Sequence, residues 1–126
     1  MEIERLDHLV LTVADIEKTV QFYTNVLGFK LITFGRNRKA LVFGNQKINL
    51  HEKGNEFEPK AYKPTYGSAD LCFIVRTDIK EVLKELQDKN VEVIEGIVER
   101  TGATGRISSV CFRDPDNNLI EVSNYT

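Results

Sequence analysis

The chain has 126 residues, the size of one ordinary domain, and its 41% hydrophobic and 29% charged residues exclude collagen-like, mucin-like and largely disordered proteins. Seventeen Lys and Arg against nineteen Asp and Glu leave a net charge of -2, without the positive excess that contact with a phosphate backbone needs, which sets nucleic acid aside. The longest apolar run, residues 71–75, falls far short of the roughly 20 residues of a membrane helix, so no membrane span is expected.

Residues 1–7 alternate acidic, basic and apolar side chains instead of forming the basic start and apolar stretch of a secretory signal, and a cytoplasmic location is the expectation. The run Asp7-His8-Leu9-Val10-Leu11-Thr12-Val13 reads as a strand, and Asp15 as the cap of a helix in which Ile16, Val20, Tyr23 and Leu27 share a face and Gly28 supplies the ending. Residues 29–32, 39–43 and 47–52 read as strands, the last two split by Gly44-Asn45-Gln46. Residues 53–68 hold Gly54, Pro59, Pro64 and Gly67 and show no periodicity. They are a linker or a lid carrying Phe57, Tyr62 and Tyr66.

The same order then recurs about 62 residues on, so the chain is two copies of one unit. A strand through Asp70-Leu71-Cys72-Phe73-Ile74-Val75 precedes Asp78, which with Glu81 forms a capping-box pattern. Ile79, Val82, Leu83 and Leu86 make the second helical stripe, and Asn90 takes the place of the glycine. Strands follow at 91–94, 106–112 and 119–123, the last two split by the turn residues Asp114-Pro115-Asp116-Asn117-Asn118. The expected architecture is α+β, two tandem βαβββ modules in one domain over 1–126, with module 1 about 1–52, the linker or lid 53–68 and module 2 about 69–126. Cys72 and Cys111 lie in apolar strands without Cys-x-x-Cys spacing and read as reduced thiols that do not pair.

Alternation puts Leu9, Leu11 and Val13 on the helix side of the first strand and His8, Val10 and Thr12 on the other; Asp70 and Cys72 fall on the corresponding face of the second unit. In the closing strands, His51 and Glu121 read as counterparts. If the units pair about a pseudo-twofold axis, His8, His51, Asp70 and Glu121 converge on one concavity. Two imidazoles and two carboxylates suit a divalent ion such as Mn, Fe, Ni, Co or Zn better than copper(I) or calcium. His8 and His51 are the only histidines in the chain.

The run from Asp7 to Ile16, the later Phe22-Tyr23-x-x-Val26-Leu27-Gly28-Phe29 and the closing Phe112-Arg113-Asp114-Pro115-Asp116-Asn117-Asn118-Leu119-Ile120-Glu121-Val122 resemble the vicinal oxygen chelate superfamily. That superfamily holds glyoxalase I, fosfomycin and bleomycin resistance proteins, methylmalonyl-CoA epimerase and extradiol dioxygenases, and within it the chain resembles small glyoxalase-domain-containing, virulence-associated proteins. The resemblance spans the whole chain. It implies a cup-shaped mixed sheet, a divalent metal held at the first and last strands of each module, a small oxygen-rich substrate and pairing into a homodimer.

By position, His8 matches the first-strand histidine ligand and Glu121 the last-strand glutamate, which is also the candidate for proton transfer. His51 stands where members have glutamate, glutamine or neither, and Asp70 where most characterised enzymes have histidine. Those departures break the His, His, Glu triad of the dioxygenases and favour a lyase, an isomerase or an antibiotic-modifying transferase. The competing expectation is a metal-free small-molecule or antibiotic-binding protein of the bleomycin-resistance kind. Tyr62, Tyr66, Cys72 and Arg113 are the candidate substrate-pocket residues, while the run Arg36-Asn37-Arg38-Lys39 reads as a solvated hairpin tip.

Overall fold

The computed structural model describes all residues, 1–126. Eight strands and two helices follow in the order β1 (His8–Val13), α1 (Ile16–Asn25), β2 (Lys30–Phe34), β3 (Arg38–Phe43), β4 (Gln46–Glu52), β5 (Asp70–Ile74), α2 (Ile79–Asp88), β6 (Val93–Thr101), β7 (Arg106–Arg113) and β8 (Leu119–Tyr125). They form two compact units, Met1–Gly67 and Ser68–Thr126, each a βαβββ module, so the stretch read as a linker packs with the first unit. Each unit carries its own four-stranded mixed sheet, in the orders β1-β4-β3-β2 and β5-β8-β7-β6.

In the first unit β1 runs parallel to β4, and the antiparallel hairpins β2-β3 and β3-β4 complete the sheet. Helix α1 starts at Asp15, whose carboxylate accepts from the Lys18 amide at 3.1 Å. It ends at Asn25, earlier than the apolar stripe implies, and Gly28, at φ 70°, then turns the chain into β2. Leu11, Val13, Leu41, Ile48 and Leu50 are buried beneath it with Tyr23 and Phe29, and Phe29 stacks on Phe43 at 4.6 Å. That face of the sheet is the core of the unit.

The second unit repeats the plan. Asp78 caps α2 through the Lys80 amide at 2.9 Å, and Asn90, at φ 58°, fills the glycine's place, with the Val91 amide reaching back to the Leu86 carbonyl. Val110, Phe112, Ile120 and Val122 are buried with Ile79, Val82 and Leu86. Strand β6 is twice as long as the run that reads as a strand in the sequence. Its register shifts between Val93 and Glu95 and again between Glu95 and Val98, which erases the alternation by which a strand is recognised.

A side chain from the closing strand secures the first crossover in each unit. Glu52 Oε2 accepts from the Ile16 amide at 3.1 Å, and Asn124 Oδ1 accepts from the Ile79 amide at 2.7 Å while Asn124 Nδ2 donates to the carbonyls of Val75 and Thr77. The turn before β8 is fixed by Asn118, fully buried, which donates from Nδ2 to Asp114 at 2.8 Å and accepts from the Ala69 amide at 2.8 Å. Replacing Asn118 by Ala removes both bonds, to the buried Asp114 carboxylate and the part-buried Ala69 amide, and leaves a void in a fully buried position. We expect a cost of about 3 kcal/mol, read as a lower urea midpoint with unchanged slope.

Candidate functional site

The strand ladders decide which residues share a level. In the second unit Asp70 stands beside Leu119, and Cys72 beside Glu121. In the first, His8 stands beside Lys47, Val10 beside Asn49 and Thr12 beside His51. Asn49 is therefore the counterpart of Glu121, and His51 that of Ser123, which corrects the pairing of His51 with Glu121 read from the sequence. His8 and His51 are four residues apart along the ladder, about 13 Å at the rise of a strand. Within neither unit do three His, Cys, Asp or Glu side chains gather in a geometry able to hold an ion.

His8 opens β1 with its side chain 46% exposed, and its Nδ1 lies 2.8 Å from Asp7 Oδ2. With Asp7 ionised, Nδ1 carries the proton and donates, which fixes the ring and leaves Nε2 with its lone pair outward. The same hydrogen bond holds the Asp7 carboxyl below its usual pKa.

Glu121 is the hub of a polar cluster on the face of the second sheet opposite α2. Its Oε1 accepts from Ser109 Oγ at 2.9 Å, Ser123 Oγ at 3.3 Å and Cys72 Sγ at 3.4 Å, and Cys111 Sγ lies 3.9 Å from Oε2. Ser109 and Ser123 are fully buried and 2.7 Å from each other. The carboxylate is thus held rigidly, and Asp70, exposed, sits two residues from Cys72 on the same face. Burial pushes both thiols above their ordinary pKa, with the Glu121 charge adding to the effect, so neither is a poised nucleophile.

His51 lies in a different setting. It is 2% exposed, its ring meets that of Phe57 edge-on at 5.6 Å, and its Nε2 has no hydrogen-bond partner. Residues 53–67 fold back over it: Lys53 Nζ donates to the Pro64 carbonyl at 2.8 Å, and Lys60 Nζ pairs with Glu58 at 3.1 Å. Beneath this strap is a cavity of about 280 Å³ lined by Val10, Thr12, His51, Pro59, Lys60, Ala61 and Pro64. Burial, and then the nearby Arg38 charge, lower the His51 pKa, so the ring is neutral at pH 7.

The remaining pocket candidates fare differently. Tyr62 is 94% exposed and Tyr66 about half exposed, so of the three aromatics in this segment Phe57 is the one against His51. Arg113 is exposed and donates to the Asn117 carbonyl at 3.2 Å, holding its own hairpin. Sequence reading passed over Arg38, which is no solvated tip: its guanidinium lies 5.2 Å from the Phe34 ring and 4.8 Å from the Phe57 ring. The missed signal is the pairing of Phe34 with Arg38 across a tight hairpin, which puts both on the sheet face that holds His51.

Residues 5–122 match the family model of the Glyoxalase/Bleomycin resistance protein/Dioxygenase superfamily. The chain belongs to this superfamily. It is 61% identical over 125 residues to Virulence protein STM3117 of Salmonella typhimurium, covering 99% of this chain and 87% of that protein. The crystal structure of that virulence protein superposes with a TM-score of 0.99 at 60% identity, covering 100% of both chains. The chain is also 55% identical over 125 residues to Glyoxalase domain-containing protein RDO1 of Mycosarcoma maydis, covering 99% of this chain and 70% of that protein. At 26% identity it is similar to Metallothiol transferase FosB of Staphylococcus saprophyticus, over 98% of this chain and 79% of that protein. No helix is long and apolar enough to cross a membrane.

Two outcomes follow from these settings. A neutral buried histidine resists protonation in the folded chain while the unfolded chain takes up its proton near pH 6.5, so His51 contributes stability present above that pH and lost as pH falls through it. The urea midpoint of the His51→Gln variant should accordingly fall less steeply than that of the wild type between about pH 7 and pH 5. Cys72 and Cys111 flank Glu121 on opposite sides of β8, about 9.5 Å apart between backbones, which is beyond disulfide reach. Non-reducing mass spectrometry of protein held under air should show two free thiols, with Cys111 alkylated only after unfolding.

Proposed function

We propose that the chain is a divalent-metal-dependent enzyme of the glyoxalase type acting on a small oxygen-rich substrate, with His8 and Glu121 as ligand positions. The observation that carries this reading is the Asp7–His8 pair. A carboxylate on Nδ1 is the arrangement that fixes the tautomer and direction of a metal-bound imidazole, and it leaves Nε2 as the donor. Imidazole nitrogen and carboxylate oxygen suit Mn, Fe, Ni, Co or Zn. Bound, the ion would polarise vicinal oxygens of the substrate and stabilise the negative charge that develops there.

The chain's own residues divide the remaining work. Ser109 and Ser123 hold Oε1 of Glu121, so Oε2, with only the Cys111 thiol beside it at 3.9 Å, is the oxygen to meet an ion or exchange a proton. Asp70, exposed and two residues from the Glu121 level, is a further carboxylate on that face. The similarity to a protein named a metallothiol transferase supports a metal and favours transfer to, or rearrangement of, a small electrophile over dioxygenase chemistry. Pairing of two chains into a homodimer accompanies this reading.

The test is elemental analysis followed by calorimetric titration of untagged, chelator-treated protein with Mn, Fe, Ni, Co and Zn. We expect about one ion per chain, and loss of that site in His8→Ala and in Glu121→Ala with the circular-dichroism spectrum unchanged, because α1 and α2 pack on the other faces of their sheets. Absence of a stoichiometric site for any of these ions would overturn the proposal. A site that survives the double variant would overturn the assignment of its ligands.

A further inference from the structure

The first unit contains a second feature that the metal reading does not use. Beneath the strap of residues 53–67, the cavity of about 280 Å³ has four apolar walls, Val10, Pro59, Ala61 and Pro64, and three polar groups, the Thr12 hydroxyl, the His51 imidazole and the Lys60 ammonium. His51 Nε2 is buried with no partner, and on the same face of β4 Asn49 Oδ1 is also buried with none. An unpaired buried polar atom costs about 1–3 kcal/mol, so the unanswered nitrogen of His51, the one of the two residues that lines the cavity, marks a place for a ligand group.

We infer that this cavity is a binding site for a small organic monoanion, a carboxylate on a short apolar body, with the carboxylate held by His51 Nε2–H, the Thr12 hydroxyl and Lys60. The groups that line the cavity decide the sign of the ligand. The ionisable side chains that line the cavity, His51 and Lys60, offer donors, and no carboxylate is among the lining groups. The two glutamates of the strap, Glu56 and Glu58, are not among the lining residues; they lie 4.0 and 3.1 Å from Lys60 Nζ. Beyond the lining, Arg38, set over the Phe57 ring that abuts His51, offsets the glutamate charges that also reach the imidazole.

Size decides the body. A volume of about 280 Å³ lies at the small end of ligand cavities and admits a monocyclic or short-chain acid, not a peptide or a nucleotide. His51 is neutral here, so it contributes one N–H and does not compete with Lys60 for the charge. The strap is closed on itself by the Lys53–Pro64 hydrogen bond and meets β4 through the His51–Phe57 contact, and its segment from Pro59 to Pro64 is the part a ligand would press against.

The chain's two histidines make the experiment direct. Benzoate, propionate and lactate are titrated into chelator-treated protein while the two imidazole Cε1 signals are followed by NMR, with calorimetry for stoichiometry. Chelation keeps the result independent of the metal proposal. We expect saturable binding of at least one of these acids, with one of the two signals shifting and the other stationary. The shifting signal should be absent in His51→Gln, which fixes it as His51. His51→Phe, which keeps the ring against Phe57 but deletes the donor, should lose binding. Lys60→Gln should weaken it about tenfold, and Ala61→Leu, which fills the cavity from the exposed strap, should abolish it without moving the urea midpoint downward. The corresponding neutral amides should bind more weakly than the acids. No shift of the His51 signal at millimolar acid, equal binding of acids and amides, or binding that persists in Ala61→Leu would each overturn the inference.

Discussion

Each unit depends on one hydrogen bond that joins its last strand to the start of its helix. A helix leaves its first amides without intrahelical partners, and here one of them is met by a side chain from the closing strand, Glu52 in the first unit and Asn124 in the second. The bond holds only if that strand lies beside the opening strand in parallel and at one register. Slipping β4 by one residue against β1 would withdraw Glu52 from Ile16 and would also exchange the two faces of the strand, bringing Asn49 and His51 into the apolar core. The terminal carboxylate or amide and the central apolar alternation thus specify the same register by independent means.

With the register fixed, the composition of each open face follows, and the two faces differ. The first presents His8, Lys47, Asn49, His51 and Arg38, rich in donors and nitrogen; the second presents Asp70, Cys72, Glu121, Cys111, Ser109 and Ser123, organised around a carboxylate. The helix side of each sheet keeps the same apolar character in both copies, as burial requires. A duplicated module can diverge on its open face at little cost to its core, because alternate residues of a strand answer to different surroundings.

What could be read from the sequence follows the same division. Period-two alternation and helix capping expose Leu9 to Val13, the aspartates at 15 and 78, and the turn at 114–118, so the α+β class and the doubled βαβββ plan were legible along with the superfamily. The offset between the copies was legible from the first strand through the helix to the start of the second strand. Between the opening and closing strands the second unit is ten residues longer, the excess falling around the irregular strand β6, so the closing strands are offset by 72, and matching them at 70 set His51 against Glu121 one alternation out of register. Register along a parallel pair is a long-range property, and no local pattern near residue 51 records it. Arg38 and Lys60 were missed for a related reason: each looks like a surface cation in its own stretch of sequence and acquires its role from a neighbour across a hairpin or strap.

The energetics of β4 explain why its polar pair merits separate treatment from the Glu121 cluster. Glu121 has hydroxyl and thiol donors in place, so its charge is compensated within its own unit. Asn49 and His51 are more deeply buried yet leave Oδ1 and Nε2 unanswered, although the fully buried Ala40 directly beside Asn49 shows that this face accepts a small apolar side chain without difficulty. An apolar pair at 49 and 51 would make the unit more stable by the desolvation cost of both groups, on the order of 2–6 kcal/mol together. Stability alone therefore does not account for these two residues, and for His51, which lines the cavity, a ligand that enters from solvent and supplies the missing partner does, since it recovers that cost only when it is bound.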